Sequence, residues 1–293
     1  MIKKERQMAK LASFPLAIFV TAAVLSGCSF SLTIPGAGYP PATTLAAPDY
    51  TAGLNSIAGA LSYEGRQPPY RLYPGGTSVK LVNNPAAVDV TWNRLMAFVE
   101  SDATDRNAYI PDRYMCGSFA MDLHNDAEAA GIRAAWVAID FFGQDVGHAA
   151  TAFMTTDRGL VIIDDTSSYD VARQDIGDSL ANGFDKVAYI AIGQDYGVVP
   201  LEVASSPLYN YYLSYLDNFR LFEQKRDAYE ADAAAYEQAL GGRTRLKEPE
   251  YTYFNNWHDR LQAEQQELNV LGDSLGDYYW ESLGVVAAVK IYW

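Results

Sequence analysis

The middle of the chain alternates between helical and strand-like patterns of apolar residues. Trp92, Leu95, Met96 and Val99 recur at helical spacing and predict a helix over 91–101. The polar run from Asp102 to Pro111 predicts a loop. A second helix is predicted from about Met115 to Ala130, with Phe119, Ala120, Leu123, Ala127 and Ala130 on one face. Gly131 stands where a C-terminal glycine stop belongs. The stretch from Ile132 to Phe142 is apolar and rich in β-favouring residues, so it predicts a strand ending at Gly143. His148 to Thr155 and Leu160 to Asp164 predict two more strands. The cluster Thr156-Asp157-Arg158-Gly159 would turn one into the other as an antiparallel hairpin. Val187 to Ile192 predicts a further strand.

The C-terminal third follows a different rule. Leu208, Tyr212, Tyr215, Phe219, Phe222, Arg226, Tyr229, Ala233, Tyr236 and Leu240 are spaced by threes and fours. After Gly241-Gly242 and a polar connection, Phe254, Trp257, Leu261, Glu264, Leu268, Leu271 and Leu275 repeat the pattern. These are heptad seams, and they predict two long coiled-coil-like helices paired antiparallel. At 1.5 Å per residue the first would be about 50 Å long. Arg226 and Glu264 fall on seam positions, where they would fix register, contact a partner, or extend outward to solvent. The last residues, 285–293, read as a strand. A strand cannot stand alone, so it is expected to return to the first region's sheet, making residues 205–276 an inserted helical hairpin and 277–293 the returning segment.

The N-terminus predicts export. Lys3, Lys4, Arg6 and Lys10 precede an apolar stretch from Leu11 to Leu25, followed by Leu25-Ser26-Gly27-Cys28. That ending resembles the lipobox of bacterial lipoproteins, which implies cleavage after residue 27 and lipid modification of Cys28. The expected product is exported and lipid-anchored to the cell membrane, facing outside the cytoplasm. Residues 28–69, rich in Pro, Gly, Ala, Thr and Ser, read as a flexible tether, and the core is expected over 70–204.

Composition narrows the possible partners. The formal net charge is −14. Residues 1–27 hold four basic residues and one acidic, so the remainder has 18 basic against 35 acidic, a balance of −17. This argues against nucleic-acid binding and against electrostatic adhesion to anionic lipid. A 49% hydrophobic composition is enough to bury a core. The 21 Tyr and 5 Trp read first as packing material and second as a carbohydrate or peptide platform. Three scattered His and one further Cys give no metal-ligand spacing, Asp102 to Asp105 lacks the glycine of a calcium loop, and no glycine-rich phosphate loop follows a strand. No metal or cofactor is expected.

Lipidation of Cys28 would leave Cys116 as the only free thiol. Most free cysteines are small buried hydrophobes. Cys116 differs in opening a predicted helix, where exposed N–H groups favour a thiolate and its own N–H can face an oxyanion. His148 follows 32 residues later and Asp164 16 after that. Thiol, imidazole and carboxylate are the parts of a cysteine nucleophile with its base and orienter. His124, eight residues along the same helix and roughly 12 Å away, cannot serve as that base. His258 sits on the helical arm as a solvated residue. Hairpin parity selects the acid: an odd loop puts Asp164 on the His148 face, an even one Asp165. A hairpin centred on Thr156 would place Asp164 directly opposite His148.

Tyr114-x-Cys116-Gly-x-Phe-Ala, then Gly131-Ile-Arg, Gly147-His148-Ala and Asp164-x-Thr166 together resemble the transglutaminase-like superfamily over roughly residues 90–195. The resemblance implies an α+β papain/transglutaminase-like core, a Cys-bearing helix packed on an antiparallel sheet. It implies acyl transfer, with Cys116 as nucleophile, His148 as base and acid, and Asp164 as orienter. Ala150 follows His-Ala where many members carry an aromatic residue, and Asp165 stands where many have Pro. The expected substrate is an envelope peptide or protein, cut or transferred by a peptidase, amidase or transamidase. The alternative is an inactive binding or scaffolding lipoprotein that meets a protein partner through its helical arm.

Overall fold

The computed structural model describes residues 57–167, 185–276 and 278–293, together with Arg6–Gln7. The rest of the segment expected as a leader, Cys28 and the part of the expected tether up to residue 56 lie outside the described residues. Elements in chain order are β1 (Arg6–Gln7), β2 (Leu61–Tyr63), α1 (Trp92–Ser101), α2 (Cys116–Ala129), β3 (Ala134–Phe141), β4 (His148–Thr155), β5 (Gly159–Asp164), β6 (Lys186–Tyr189), β7 (Gly197–Pro200), α3 (Tyr209–Leu240), α4 (Glu250–Asp273), β8 (Tyr278–Tyr279) and β9 (Val286–Tyr292). The protein is α+β. Among the described residues, no helix is long and apolar enough to cross a membrane.

Seven strands form one sheet in the order β2-β9-β3-β4-β5-β6-β7, and β1 pairs separately with β8. Every neighbouring pair in the large sheet is antiparallel except β2 with β9, which is parallel. The sheet is therefore mixed, not purely antiparallel. Two strands of the large sheet carried no legible signal. Leu61–Tyr63 falls in the segment read as tether, yet it pairs with Lys290, Ile291 and Tyr292 at the far end of the chain. The tether reading is thus corrected from residue 57 onward. Gly197–Pro200 is four residues long and opens on a glycine. Both owe their pairing to distant partners rather than to local alternation.

Central strands are buried on both faces, which explains their nearly continuous apolar runs. One face carries Val137, Ile139, Ala150, Ala152, Leu160, Ile162, Tyr196 and Ile291. The other packs Trp136, Ala138, Ala149 and Tyr292 against Ala120 of α2, with Cys116 alongside. Thr151 donates its hydroxyl to the Ala120 carbonyl at 3.0 Å and so pins helix to sheet.

Helix α2 ends as Gly131 predicts. Gly131 has φ of 76°. Its N–H donates to Glu128 O and the Ile132 N–H to Ala127 O, the two bonds of a Schellman cap. The buried Glu128 carboxylate then accepts the backbone N–H of both Asn84 and Ala134, each at 2.8 Å. One side chain thereby joins the helix end, β3 and an irregular segment. Helix α1 is fixed to the hairpin turn. The Trp92 N–H donates to Asp157 Oδ1 at 2.7 Å, and Arg158 lies over the Trp92 ring.

The chain divides into two compact units, and residues 219–272 make up the described part of the second. Within it, Tyr236 packs edge-on against Phe254 and Trp257. Asp232 accepts from Trp257 Nε1 at 2.9 Å and Arg260 at 2.7 Å, and Lys225 pairs with Glu267. The contacts descend one helix as they ascend the other. Arg226 and Glu264, at seam positions by spacing, are not core residues. Arg226 stays half-exposed beside Asp227 and Glu230, and Glu264 beside Arg260. Their long stems keep the charge in water, which is the least costly outcome.

Candidate active site

Cys116 is the first residue of α2 and is half-buried. Met115 before it is extended (ψ −177°), so the chain enters the helix abruptly and the first N–H groups of α2 have no helical carbonyl to meet. The entry is shaped by a tight turn in which Ile110 and Tyr114 exchange two backbone bonds of 2.8 Å. Asp112 in that turn has φ of 58°, a left-handed conformation that asparagine and aspartate tolerate best. The Tyr114 hydroxyl donates to Asp122 at 2.6 Å and accepts from Asn107 at 2.9 Å, holding the turn on the helix. The Asn107 carbonyl accepts the Ser167 hydroxyl at 2.6 Å, which ties this turn to the segment just beyond Asp164.

Gly117 allows a close approach. A Cβ there would lie 3.3 Å from the Leu72 carbonyl oxygen, so residues 70–79 run against the helix start. At Gly147 a side chain cannot be fitted without a shift, because a Cβ would come within 2.5 Å of the backbone oxygen of Ile139. That contact lets β4 begin tight against β3, with His148 opposite Ile139.

His148 Nε2 and Asp164 Oδ2 are 2.9 Å apart, with both side chains buried. The turn between β4 and β5 holds three residues, 156–158, an odd number, and Asp164 shares the His148 face. The register differs from a hairpin centred on Thr156. Thr155 pairs with Gly159 and Thr151 with Ile163, so the centre is Asp157. Asp164 therefore stands beside Ala150 and meets His148 diagonally rather than directly across.

The bond to Asp164 uses Nε2, which leaves Nδ1 as the ring nitrogen available to the Cys116 thiol. Burial alone would raise the Cys116 thiol. The hydrogen bond and charge of His148, with the Ala149 backbone N–H, outweigh it and hold the thiol below its ordinary value. Burial would lower His148, but Asp164 and Cys116 reverse this and push it up to about 10. Asp164 is also desolvated, yet His148, Lys186 and Tyr196 hold it well below the usual carboxylate range. The three groups favour a thiolate–imidazolium pair steadied by a carboxylate.

Asp165, the other candidate acid, does not meet the histidine. It is buried, neither of its carboxylate oxygens has a hydrogen-bond partner, and burial together with Asp164 pushes its carboxyl well above the usual range. His124 is fully buried, with Nδ1 3.1 Å from Asn125 Oδ1. His258, read as solvated, is partly covered, lying against Tyr236 and 3.6 Å from Asp259.

Three further residues surround Asp164, two of them without a sequence signal. Tyr196 donates to Asp164 Oδ2 at 2.7 Å, and the Thr166 N–H donates to Oδ1 at 3.0 Å. Buried Lys186 donates to the Thr166 carbonyl at 2.9 Å and faces the Trp280 ring. Thr166 was visible only as part of the Asp-x-Thr motif, and Tyr196 and Lys186 reach the site through sheet pairing alone. Among the described residues, no group of three or more His, Cys, Asp or Glu side chains could hold a metal ion. Compared with protein-family models, curated proteins and solved structures, the chain matches none.

Proposed function

We propose that this protein is a transglutaminase-like thiol acyl-transfer enzyme, exported and lipid-anchored through Cys28. The fold reading is a papain/transglutaminase-like core with α3 and α4 as an inserted antiparallel helical hairpin. The observation that carries the proposal is His148, paired with Asp164 at 2.9 Å and acting on the Cys116 thiol, which it holds below its ordinary value. The lipid anchor rests on the lipobox-like sequence ending at Cys28.

In the reaction, the Cys116 thiolate attacks an amide carbonyl and forms the C–S bond. The resulting oxyanion faces the helix N-terminus and the Cys116 N–H. Imidazolium His148 gives its proton to the departing amine nitrogen as the C–N bond breaks, leaving a thioester. Neutral His148 then takes a proton from water or an incoming amine, which attacks the thioester and returns the thiolate. Asp164 keeps the ring oriented and steadies its positive charge without taking the proton. The substrate is an envelope peptide or protein. Arg226 and Glu264, the charges that suggested a scaffolding role, are partnered on the helix surface, so the nucleophile reading is preferred.

The test is alkylation by iodoacetamide near pH 6, followed by mass spectrometry, with amide turnover measured alongside. Rapid labelling of Cys116, slowed roughly 10- to 100-fold in His148→Ala, supports the proposal. Turnover that survives Cys116→Ala would overturn it. Loss of acyl-chain incorporation in Cys28→Ser tests the anchor separately.

A further inference from the structure

Tyr196 lies between β6 and β7, and its phenol is only 2% exposed. Its hydroxyl is 2.7 Å from the same Asp164 oxygen, Oδ2, that accepts His148 Nε2 at 2.9 Å. Its ring meets the imidazole edge-on, with centroids 5.4 Å apart and planes at 71°. On its other side the ring meets Phe141 at 5.9 Å. The backbone is fixed as well, since the Tyr196 N–H donates to Gly284 O at 2.9 Å. One side chain thus touches both the base and its orienter, on a backbone held by the segment leading into β9.

Resting on the acyl-transfer reading, we infer that Tyr196 is the positioning residue of this site: its hydroxyl fixes the Asp164 carboxylate and its ring walls the imidazole, so that Nδ1 of His148 stays aimed at Cys116. Two donors, the Tyr196 O–H and the Thr166 N–H, hold one carboxylate oxygen each, and the carboxylate cannot rotate without losing one of them. The phenol is kept protonated by burial and by Asp164, so it remains a donor throughout the working range. It also draws charge from Oδ2, which moderates the pull of Asp164 on the imidazolium. The other charged or titratable groups acting on this pair are Cys116, Lys186 and Asp165. A tyrosine used only for packing would need the ring and not the hydroxyl.

The experiment compares wild type, Tyr196→Phe and Tyr196→Leu in the full chain. Two quantities are read: the pH profile of Cys116 alkylation by iodoacetamide, and the His148 ring N–H proton resonance, assigned against His148→Ala. Tyr196→Phe keeps the wall but leaves more charge on Oδ2, so the alkaline limb of the profile moves up by about one pH unit and the resonance shifts. Tyr196→Leu removes the wall and admits water, so the limb moves down toward that of an ordinary imidazole. A Tyr196→Phe variant with the wild-type limb and resonance overturns the inference. If wild-type Cys116 titrates as an ordinary thiol, the acyl-transfer reading fails instead. The resonance still tests whether Tyr196 governs the His148–Asp164 bond.

Discussion

Asp164 reaches His148 diagonally across the β4–β5 hairpin, at 2.9 Å, from a position beside Ala150. The diagonal follows from a three-residue turn centred on Asp157. It leaves Asp164 Oδ2 with room for a second donor, which Tyr196 supplies. It also dictates how the site responds to pH.

Cys116 is held below its ordinary value and His148 is pushed up to about 10. The thiolate–imidazolium pair should therefore persist across the neutral range, and alkylation should be flat there instead of rising near pH 8.5 as for a free thiol. The stability side has a definite sign. A histidine whose folded value exceeds its unfolded 6.5 contributes fully below pH 6.5 and loses that contribution as pH rises through about 10. Thermal melts of wild type and His148→Ala between pH 6 and 10.5 should converge at the alkaline end.

Asp165 is buried without a hydrogen-bond partner for either carboxylate oxygen, and burial together with Asp164 pushes its carboxyl well above the usual range. Its folded value lies above the unfolded one of about 3.9, so between the two values the native state holds more proton than the unfolded chain. Stability must then fall as pH rises. Asp165→Asn should raise the melting temperature at pH 7.5 and leave it nearly unchanged at pH 4. Equal effects at both values would contradict a neutral buried acid.

Gly147→Ala places a methyl 2.5 Å from the Ile139 carbonyl oxygen, a contact backbone cannot relieve cheaply. The strand must shift at His148. A destabilisation of about 1–3 kcal/mol is expected in urea unfolding, with slower Cys116 alkylation in the folded fraction. Gly143→Ala offers the contrast. Its φ of 69° strains the backbone, but nothing lies within 4 Å of the added carbon, so alkylation should be spared.

Glu128 accepts two backbone donors at 2.8 Å, the buried Ala134 N–H and the part-buried Asn84 N–H. Glu128→Ala leaves both without their acceptor and should cost about 2–4 kcal/mol by denaturant titration. Glu128→Gln keeps one carbonyl acceptor and should cost less. Both variants should keep the pH profile of Cys116 alkylation in the folded fraction, since Glu128 lies at the far end of α2.

The sequence by itself determined the elements whose signals are local. Gly131 ends α2 because a left-handed residue must follow the last turn, and spacing alone announces it. Leu160, Ile162 and Asp164 alternate, so the face Asp164 occupies depends only on whether the turn is odd or even. Cys116, His148 and Asp164 were legible because each stands at the boundary of such an element. Tertiary structure decided whatever depended on distant pairing. Leu61–Tyr63 becomes a strand only because Lys290 to Tyr292 offers it an edge. Tyr196 and Lys186 reach Asp164 only because β6 and β7 extend the sheet beyond β5. The seam positions of Arg226 and Glu264 were real in spacing, but solvation of their charges left them half-exposed. Local patterns fix φ, ψ and which face a side chain takes, whereas hydrogen-bond partners across the sheet are set by the burial of the whole core.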